Sequence, residues 1–366
     1  MKLTRRGAIG TLALGGAAAT GAGLASPAIA ANTRELTMVT SWPKNYPGQG
    51  TSAERIAQQV EKLSEGRIKI KVYGAGELVP AFEVFDAVAS GKADMYHSAE
   101  YYFQGKSKAF AFFSTVPFGL VSNELDSWIY YGDGQALWDE LSGGFGIKPL
   151  LCGNNGVQMG GWLNREINTV EDLKGLKFRM PGLGGEVLRR FGVNVINVPG
   201  GEIYTSLQSG AIDGAEFVSP WNDLAFGFHK VAKYYYWPGF HEPASALCLG
   251  TNLELWNSLS EVDRAIIETV CRSENTNVPA EYFHHNIKSL TALVEEHGVE
   301  LREFPDDVFQ AFGKATDEVL AEVAKEDDLT GRIHDSYVAF RNEIAGWTRI
   351  SLGAYLNKRQ VYLDTL

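Results

Sequence analysis

The feature that most constrains this chain is a pattern used twice. Gly74-Ala75-Gly76-Glu77 precede a helical stretch that stops at Ser90-Gly91-Lys92-Ala93-Asp94 and runs into a short strand. Gly200-Gly201-Glu202 precede a second helical stretch that stops at Ser209-Gly210-Ala211-Ile212-Asp213, again followed by a strand. Glycine ends a helix at such a place because it accepts a left-handed backbone without steric cost. The surroundings repeat too. Residues 36–41 and 67–73 read as strands around a helix over 50–64, where Ile56, Val60 and Leu63 recur at helical spacing and Ile68, Ile70 and Val72 alternate with polar neighbours. A helix over 80–89 and a strand over 93–96 complete this half, while strands over 176–179 and 193–198 flank a helix over 184–191 in the other. This alternation predicts two α/β lobes, each with a mainly parallel sheet. A ligand cleft then lies between them at the carboxyl ends of the strands, which points to residues 97–103 and 215–223.

Beyond Asn252 apolar residues fall at helical intervals over 261–271, 281–296, 305–326 and 333–358. No low-complexity linker divides the lobes, so short crossing strands are expected to join them and to act as hinges. The first thirty residues read as an export signal: Lys2, Arg5 and Arg6, a Gly/Ala/Leu-rich stretch over 8–24, and Ala28-Ile29-Ala30 as a cleavage site. Arg5-Arg6 before a weakly hydrophobic stretch suggests the twin-arginine route, with general secretion as the alternative. Removing that segment leaves 30 basic against 44 acidic residues. So acidic a chain, without a basic stripe, is unsuited to nucleic acid. No later stretch reaches the roughly 18 to 20 apolar residues that cross a bilayer. Cys152, Cys248 and Cys271 lack metal-ligand spacing and read as buried thiols, a Cys152–Cys248 disulfide being the alternative.

Several residues suit a bound anion. Arg179 ends the apolar strand 176–179, where its fork can hold both oxygens of a carboxylate; a structural ion pair is the competing reading. Glu216 and Phe217 follow the second Ser-Gly-x-x-Asp, and Glu242 follows the aromatic run 234–237. Two acids beside an Arg-bound anion would repel it unless a cation intervened, and oxygen ligands favour sodium, calcium or magnesium over zinc. One Glu pairing with Arg179 is the simpler alternative. Gln158 and Trp162 lie in the Gly-flanked segment 156–162, where an amide can both donate and accept. Tyr101, Tyr102 and Phe103 can wall the pocket from the first lobe. His97, His229 and His241 are too scattered in sequence to form a ligand cluster.

The segments Ala75-Gly76-Glu77-Leu78-Val79-Pro80, 156–162, Arg165-Glu166-Ile167-Asn168-Thr169, 176–179, Gly200-Gly201-Glu202-Ile203-Tyr204 and Tyr234-Tyr235-Tyr236-Trp237-Pro238-Gly239 together resemble the solute receptors of TRAP (tripartite ATP-independent periplasmic) transporters, alpha-keto acid-binding branch. The resemblance implies a type II-like, two-lobed periplasmic binding protein with hinge strands and a long C-terminal helical segment. It places the substrate carboxylate on Arg179, and a cation, sodium before calcium, on Gln158, Glu216, the Phe217 backbone and Glu242. Ligand contacts are expected from Arg179, Gln158, Phe217, Tyr101, Tyr102 and Asn155. Phe217 stands where relatives carry Trp, and His241 where they carry an aromatic residue. The branch forms dimers through a C-terminal helix, which fits 333–358.

The function expected is therefore a non-catalytic periplasmic receptor that delivers a small 2-oxo or 2-hydroxy monocarboxylate, such as pyruvate, 2-oxobutyrate or lactate, to TRAP membrane subunits. The alternatives are a periplasmic metal-dependent hydrolase, which would need an open site and a general base, and a receptor for an ATP-driven importer. Expected boundaries are 1–30 for the signal, 31–153 for lobe I with part of 243–285 returning to it, 154–242 for lobe II, and 286–366 for C-terminal helices that also dimerise.

Overall fold

The computed structural model describes residues 33–366; the expected export signal lies outside them. The strands are β1 (Arg34–Thr40), β2 (Ile68–Tyr73), β3 (Met95–Ser98), β4 (Ile147–Asn154), β5 (Gly161–Leu163), β6 (Lys177–Arg179), β7 (Asn194–Ile196), β8 (Gly214–Ala215), β9 (Tyr234–Trp237), β10 (Ala246–Asn252) and β11 (Glu300–Glu303). They form two sheets, ordered β2-β1-β3-β10-β4 and β11-β9-β5-β8-β6-β7, the cores of a two-lobed α/β fold. In the first, β1 pairs parallel with β2 and β3. In the second, β6 pairs parallel with β7 and β8. An antiparallel strand then adjoins each trio, β10 beside β3 and β5 beside β8.

The repeated Ser-Gly-x-x-Asp has one physical cause in both lobes. Gly91 and Gly210 stop their helices in the left-handed region, at φ 75 and 72. The following Asp then clips the helix return to the central strand. Asp94 accepts from the Thr37 N–H at 2.7 Å and donates its own N–H to the Thr37 carbonyl at 3.0 Å. Asp213 does the same with Lys177, at 2.8 and 2.7 Å. Each clip sets where the next strand begins, and hence where its carboxyl end delivers side chains.

The chain crosses between sheets twice, over 155–160 and 238–245, and the two segments lie side by side. The Asn155 N–H donates to the Ser245 carbonyl at 3.0 Å, Gln158 N–H to Glu242 at 3.0 Å, and Gly239 N–H to Gln158 at 2.9 Å. A third bridge is the helix Glu261–Thr291. Two separate helical stretches, 261–271 and 281–296, were expected here, and Pro279 lies between them. The helix persists through Pro279 because tertiary contacts hold it: Val278 and Tyr282 are buried, and Glu274 accepts from Arg55 Nε and Nη2 at 3.0 and 2.9 Å. Near its end Asn286 Oδ1 accepts from the Ser219 hydroxyl and the Trp221 N–H, both at 3.0 Å, which ties it to the second lobe.

Three further details differ from expectation. The helix expected over 80–89 starts at Val84. The edge strand β11 arises inside the supposedly all-helical terminus. The helix expected over 333–358 is Asp328–Thr348, a π turn Arg349–Gly353, and Ala354–Leu363. All three cysteines are buried and free. No described helix is long and apolar enough to cross a membrane.

The lobes touch directly. Tyr46 donates its hydroxyl to the Asn222 carbonyl at 2.9 Å, Asn222 Nδ2 donates to the Pro47 carbonyl at 2.8 Å, and the Tyr46 ring stacks on Phe226 at 4.3 Å. The turn that presents this contact is organised by buried Asp223, which accepts from Trp162 Nε1 at 2.9 Å and the Tyr235 hydroxyl at 2.6 Å. Burial pushes the Asp223 carboxyl from 3.8 up to about 7. The folded state thus holds this proton more tightly than the unfolded chain, so the stability it contributes is complete below about pH 4 and is lost as pH rises towards 7. Urea unfolding of metal-free protein is expected to show up to about 4 kcal/mol of this loss between pH 4 and 7, absent in Asp223→Asn. Identical pH profiles for the two proteins would contradict it.

Candidate functional site

Arg179 is the last residue of β6, and Glu216 and Phe217 follow β8. The turn Glu100–Phe103 follows β3. The carboxyl ends of three parallel strands from two sheets therefore converge, and the crossing segments add Asn155, Gln158, His241 and Glu242. Arg179, Glu216, His241 and Glu242 are each at most 1% exposed, so their charges must be matched here rather than by water.

The guanidinium is held on one side. Arg179 Nη1 donates to the Glu216 carbonyl at 3.0 Å and ion-pairs with Glu216 Oε1. Nε donates to the Val198 carbonyl at 3.1 Å, and the Phe217 ring lies 5.6 Å from the guanidinium carbon. Nη2 has only a long contact, 3.4 Å, with the Tyr102 hydroxyl. Burial alone would lower the Arg179 pKa; the Glu216 charge together with Tyr102 and Tyr101 outweighs it and raises the pKa. The structural ion pair weighed from the sequence is thus present, yet it occupies only part of the fork.

On the far side of Glu216, Oε2 lies 3.2 Å from His241 Nε2. One potential ligand atom each from Glu216, His241 and Glu242 lie within 4.8 Å of one another. Burial pushes the Glu242 carboxyl well above its usual range, and the Glu216 charge pushes it further. Glu242 Oε2 and both side-chain polar atoms of Gln158 and of Asn155 are buried without a protein partner. Buried polar atoms are rarely left so. Two carboxylates with an unpartnered oxygen, an unpartnered amide and an imidazole are a donor set suited to a cation.

Tyr101 and Tyr102 pack edge to face at 4.7 Å, and burial raises both phenol pKa values. Tyr102 also contacts Phe82, at 4.7 Å, in the wall of an interlobe groove of about 570 Å³ lined by Ser41, Pro43, Pro199 and Gly201 among others. Phe103 turns the other way, into the core against Phe85. The structure therefore brings Arg179, Glu216, Phe217, Glu242, Tyr101, Tyr102 and Gln158 together. Asn155 sits further along the crossing, paired with Ser245.

Sequence reasoning set aside His241 because the histidines are scattered. The three do not meet: His97 accepts from Trp42 Nε1 at 2.8 Å and His229 stacks on His297 at 4.1 Å. His241 instead joins two acids, and its adjacency to Glu242 was the available signal. Trp42, whose ring lies 6.0 Å from that of Tyr102, was missed as a backing residue.

Residues 38–327 match the family model described as bacterial extracellular solute-binding protein, family 7. A protein of Nostoc sp. named monocarboxylate 2-oxoacid-binding periplasmic protein is 40% identical over 320 residues, 87% of each chain. A TRAP solute-binding protein of Bordetella bronchiseptica, solved as a mixed-occupancy dimer with copurified calcium and picolinate, has TM-score 0.89 and 34% identity over 91% of this chain and 99% of that one. One from Pseudoalteromonas atlantica with bound sodium and pyruvate has TM-score 0.86 and 39% identity over 89% of this chain and 99% of that one. The chain thus belongs to family 7 of the bacterial extracellular solute-binding proteins, as a TRAP-type receptor of the alpha-keto acid-binding branch, and is a binding protein rather than an enzyme.

Proposed function

We propose that this receptor captures a small 2-oxo or 2-hydroxy monocarboxylate of the pyruvate, 2-oxobutyrate or lactate class in the periplasm and delivers it to TRAP membrane subunits. The observation that carries this reading is the half-occupied fork of Arg179: Nη1 and Nε are held by Glu216 and Val198, while Nη2 has only the 3.4 Å contact to Tyr102. A carboxylate oxygen can take that place, with Tyr101 and Tyr102 donating their phenolic protons to it. The relatives support the class, since the Nostoc protein is named for 2-oxo acids and the Pseudoalteromonas protein holds pyruvate. One buried guanidinium suits a ligand with one carboxylate.

Glu216, Glu242, the Gln158 amide and the Phe217 carbonyl would hold a cation, whose charge lets the ligand's 2-oxygen lie near two acids. Arg179, Glu216 and Glu242 as ions sum to one negative charge, and a monocarboxylate adds another. Burying that excess is costly, which favours a divalent ion such as calcium over the sodium placed first from the sequence. Binding would shift an open–closed equilibrium of the lobes, which meet at Tyr46 and Asn222, and sequence positions near 154 and 242 would bound the moving lobe.

A homodimer through the C-terminus is part of the same reading. No residue of Ala354–Leu363 is buried, and Trp347, Ile350, Tyr355, Val361 and Tyr362 are all more than 60% exposed. So much apolar surface calls for a partner. Ending the chain after Thr348 is expected to turn a dimer into a monomer by light scattering while pyruvate binding persists; a monomeric full-length protein would contradict this.

Calorimetry tests the ligand. Arg179→Ala is expected to bind pyruvate at least about 100-fold more weakly, and Arg179→Lys to recover only part of that, because a truncated buried ion partner leaves its counterpart uncompensated. Thermal melts of both variants separate lost binding from lost folding. Unchanged pyruvate affinity in a folded Arg179→Ala protein would overturn the assignment.

A further inference from the structure

We propose that His241 Nε2 is a third protein ligand of this cation site, so that the site takes borderline divalent ions of the manganese, cobalt and zinc class and prefers them to calcium. The inference rests on the cation reading above and extends it to the kind of ion.

The spacing fits. His241 Nε2 and Glu216 Oε2 are 3.2 Å apart. Two ligands about 2.1 Å from one ion stand roughly 3.0 Å apart in an octahedron and roughly 3.4 Å apart in a tetrahedron; calcium, with ligands at about 2.3 to 2.6 Å in six- to eight-fold shells, spans roughly 2.7 to 3.7 Å. The observed separation lets both atoms share one ion of either class, and the choice between the classes falls to the chemistry of the imidazole. An Nε2–H donated to Glu216 also explains the 3.2 Å contact, but leaves Glu242 Oε2 buried without a partner. An ion shared by all three supplies one.

The backbone that carries the imidazole is also held in place. Gly184, in the helix Gly182–Arg189, approaches so closely that a Cβ there would stand 2.6 Å from the His241 Cβ. On the other side the Thr115 hydroxyl donates to the His241 carbonyl at 3.3 Å. These contacts fix the His241 backbone and Cβ, from which Nε2 reaches to 3.2 Å from Glu216 Oε2. Imidazole nitrogen is a ligand of choice for transition ions and offers little to sodium or calcium.

The test uses untagged, metal-stripped full-length protein, titrated by calorimetry with calcium, manganese and cobalt chlorides. Wild type is expected to bind cobalt at least tenfold more tightly than calcium. His241→Phe and His241→Gln are expected to lose at least tenfold for cobalt and less than threefold for calcium. Proton NMR of cobalt-loaded wild type, which needs no variant, should show a hyperfine-shifted exchangeable imidazole N–H. Cobalt bound no better than calcium, variants that keep cobalt affinity, or no such resonance would each overturn the proposal. Cobalt binding that is indifferent to His241, with calcium still bound, would sink it alone; failure to bind any cation would sink the underlying cation reading as well.

Discussion

Glu216 is the residue on which the two halves of the site depend. One of its oxygens faces the buried guanidinium of Arg179 and the other faces His241. A buried guanidinium without a counter-ion would cost several kcal/mol, so Glu216 is needed before any ligand arrives. Having one oxygen on each side, it also links the place proposed for an anion to the place proposed for a cation. A change in charge at either place is felt at the other through a single carboxylate buried from bulk solvent.

That arrangement follows from how the chain is folded twice over. Asp94 and Asp213 clip equivalent helix returns to equivalent central strands, so the strand ends that carry Tyr101 and Tyr102 in one lobe, and Arg179 and Glu216 in the other, arrive at one cleft. The crossing segments then contribute Gln158, His241 and Glu242. These segments are also where the lobes are joined, so in the proposed mechanism hinge and cation ligands share the same backbone. Closure and cation binding are therefore not separable by geometry.

The parts of the fold legible in the sequence are those governed by local chemistry. Alternating Ile68, Ile70 and Val72 mark a strand, and Ser-Gly-x-x-Asp marks a helix stop whose Asp must reach a neighbour. Arg179 and Glu216 were legible for the same reason, as charged residues at the ends of apolar strands. What could not be read depends on contacts distant in sequence. The helix Glu261–Thr291 survives Pro279 because Arg55 and the first sheet hold it. The strand β11, Glu-Leu-Arg-Glu, forms only because the edge of β9 is available to it. His241 gains meaning from Glu216, twenty-five residues earlier, and from the glycine at 184 that lets it pack there.

The central claim, that an anion and a cation are held by one coupled site, is tested most directly by measuring each affinity in the presence and absence of the other. Pyruvate is titrated into metal-free and calcium-saturated protein, and calcium into pyruvate-free and pyruvate-saturated protein. Linkage requires the two ratios to be equal. The account predicts that calcium tightens pyruvate, and pyruvate calcium, by the same factor, about 5- to 150-fold. A factor of one, with both ligands bound independently, would contradict it.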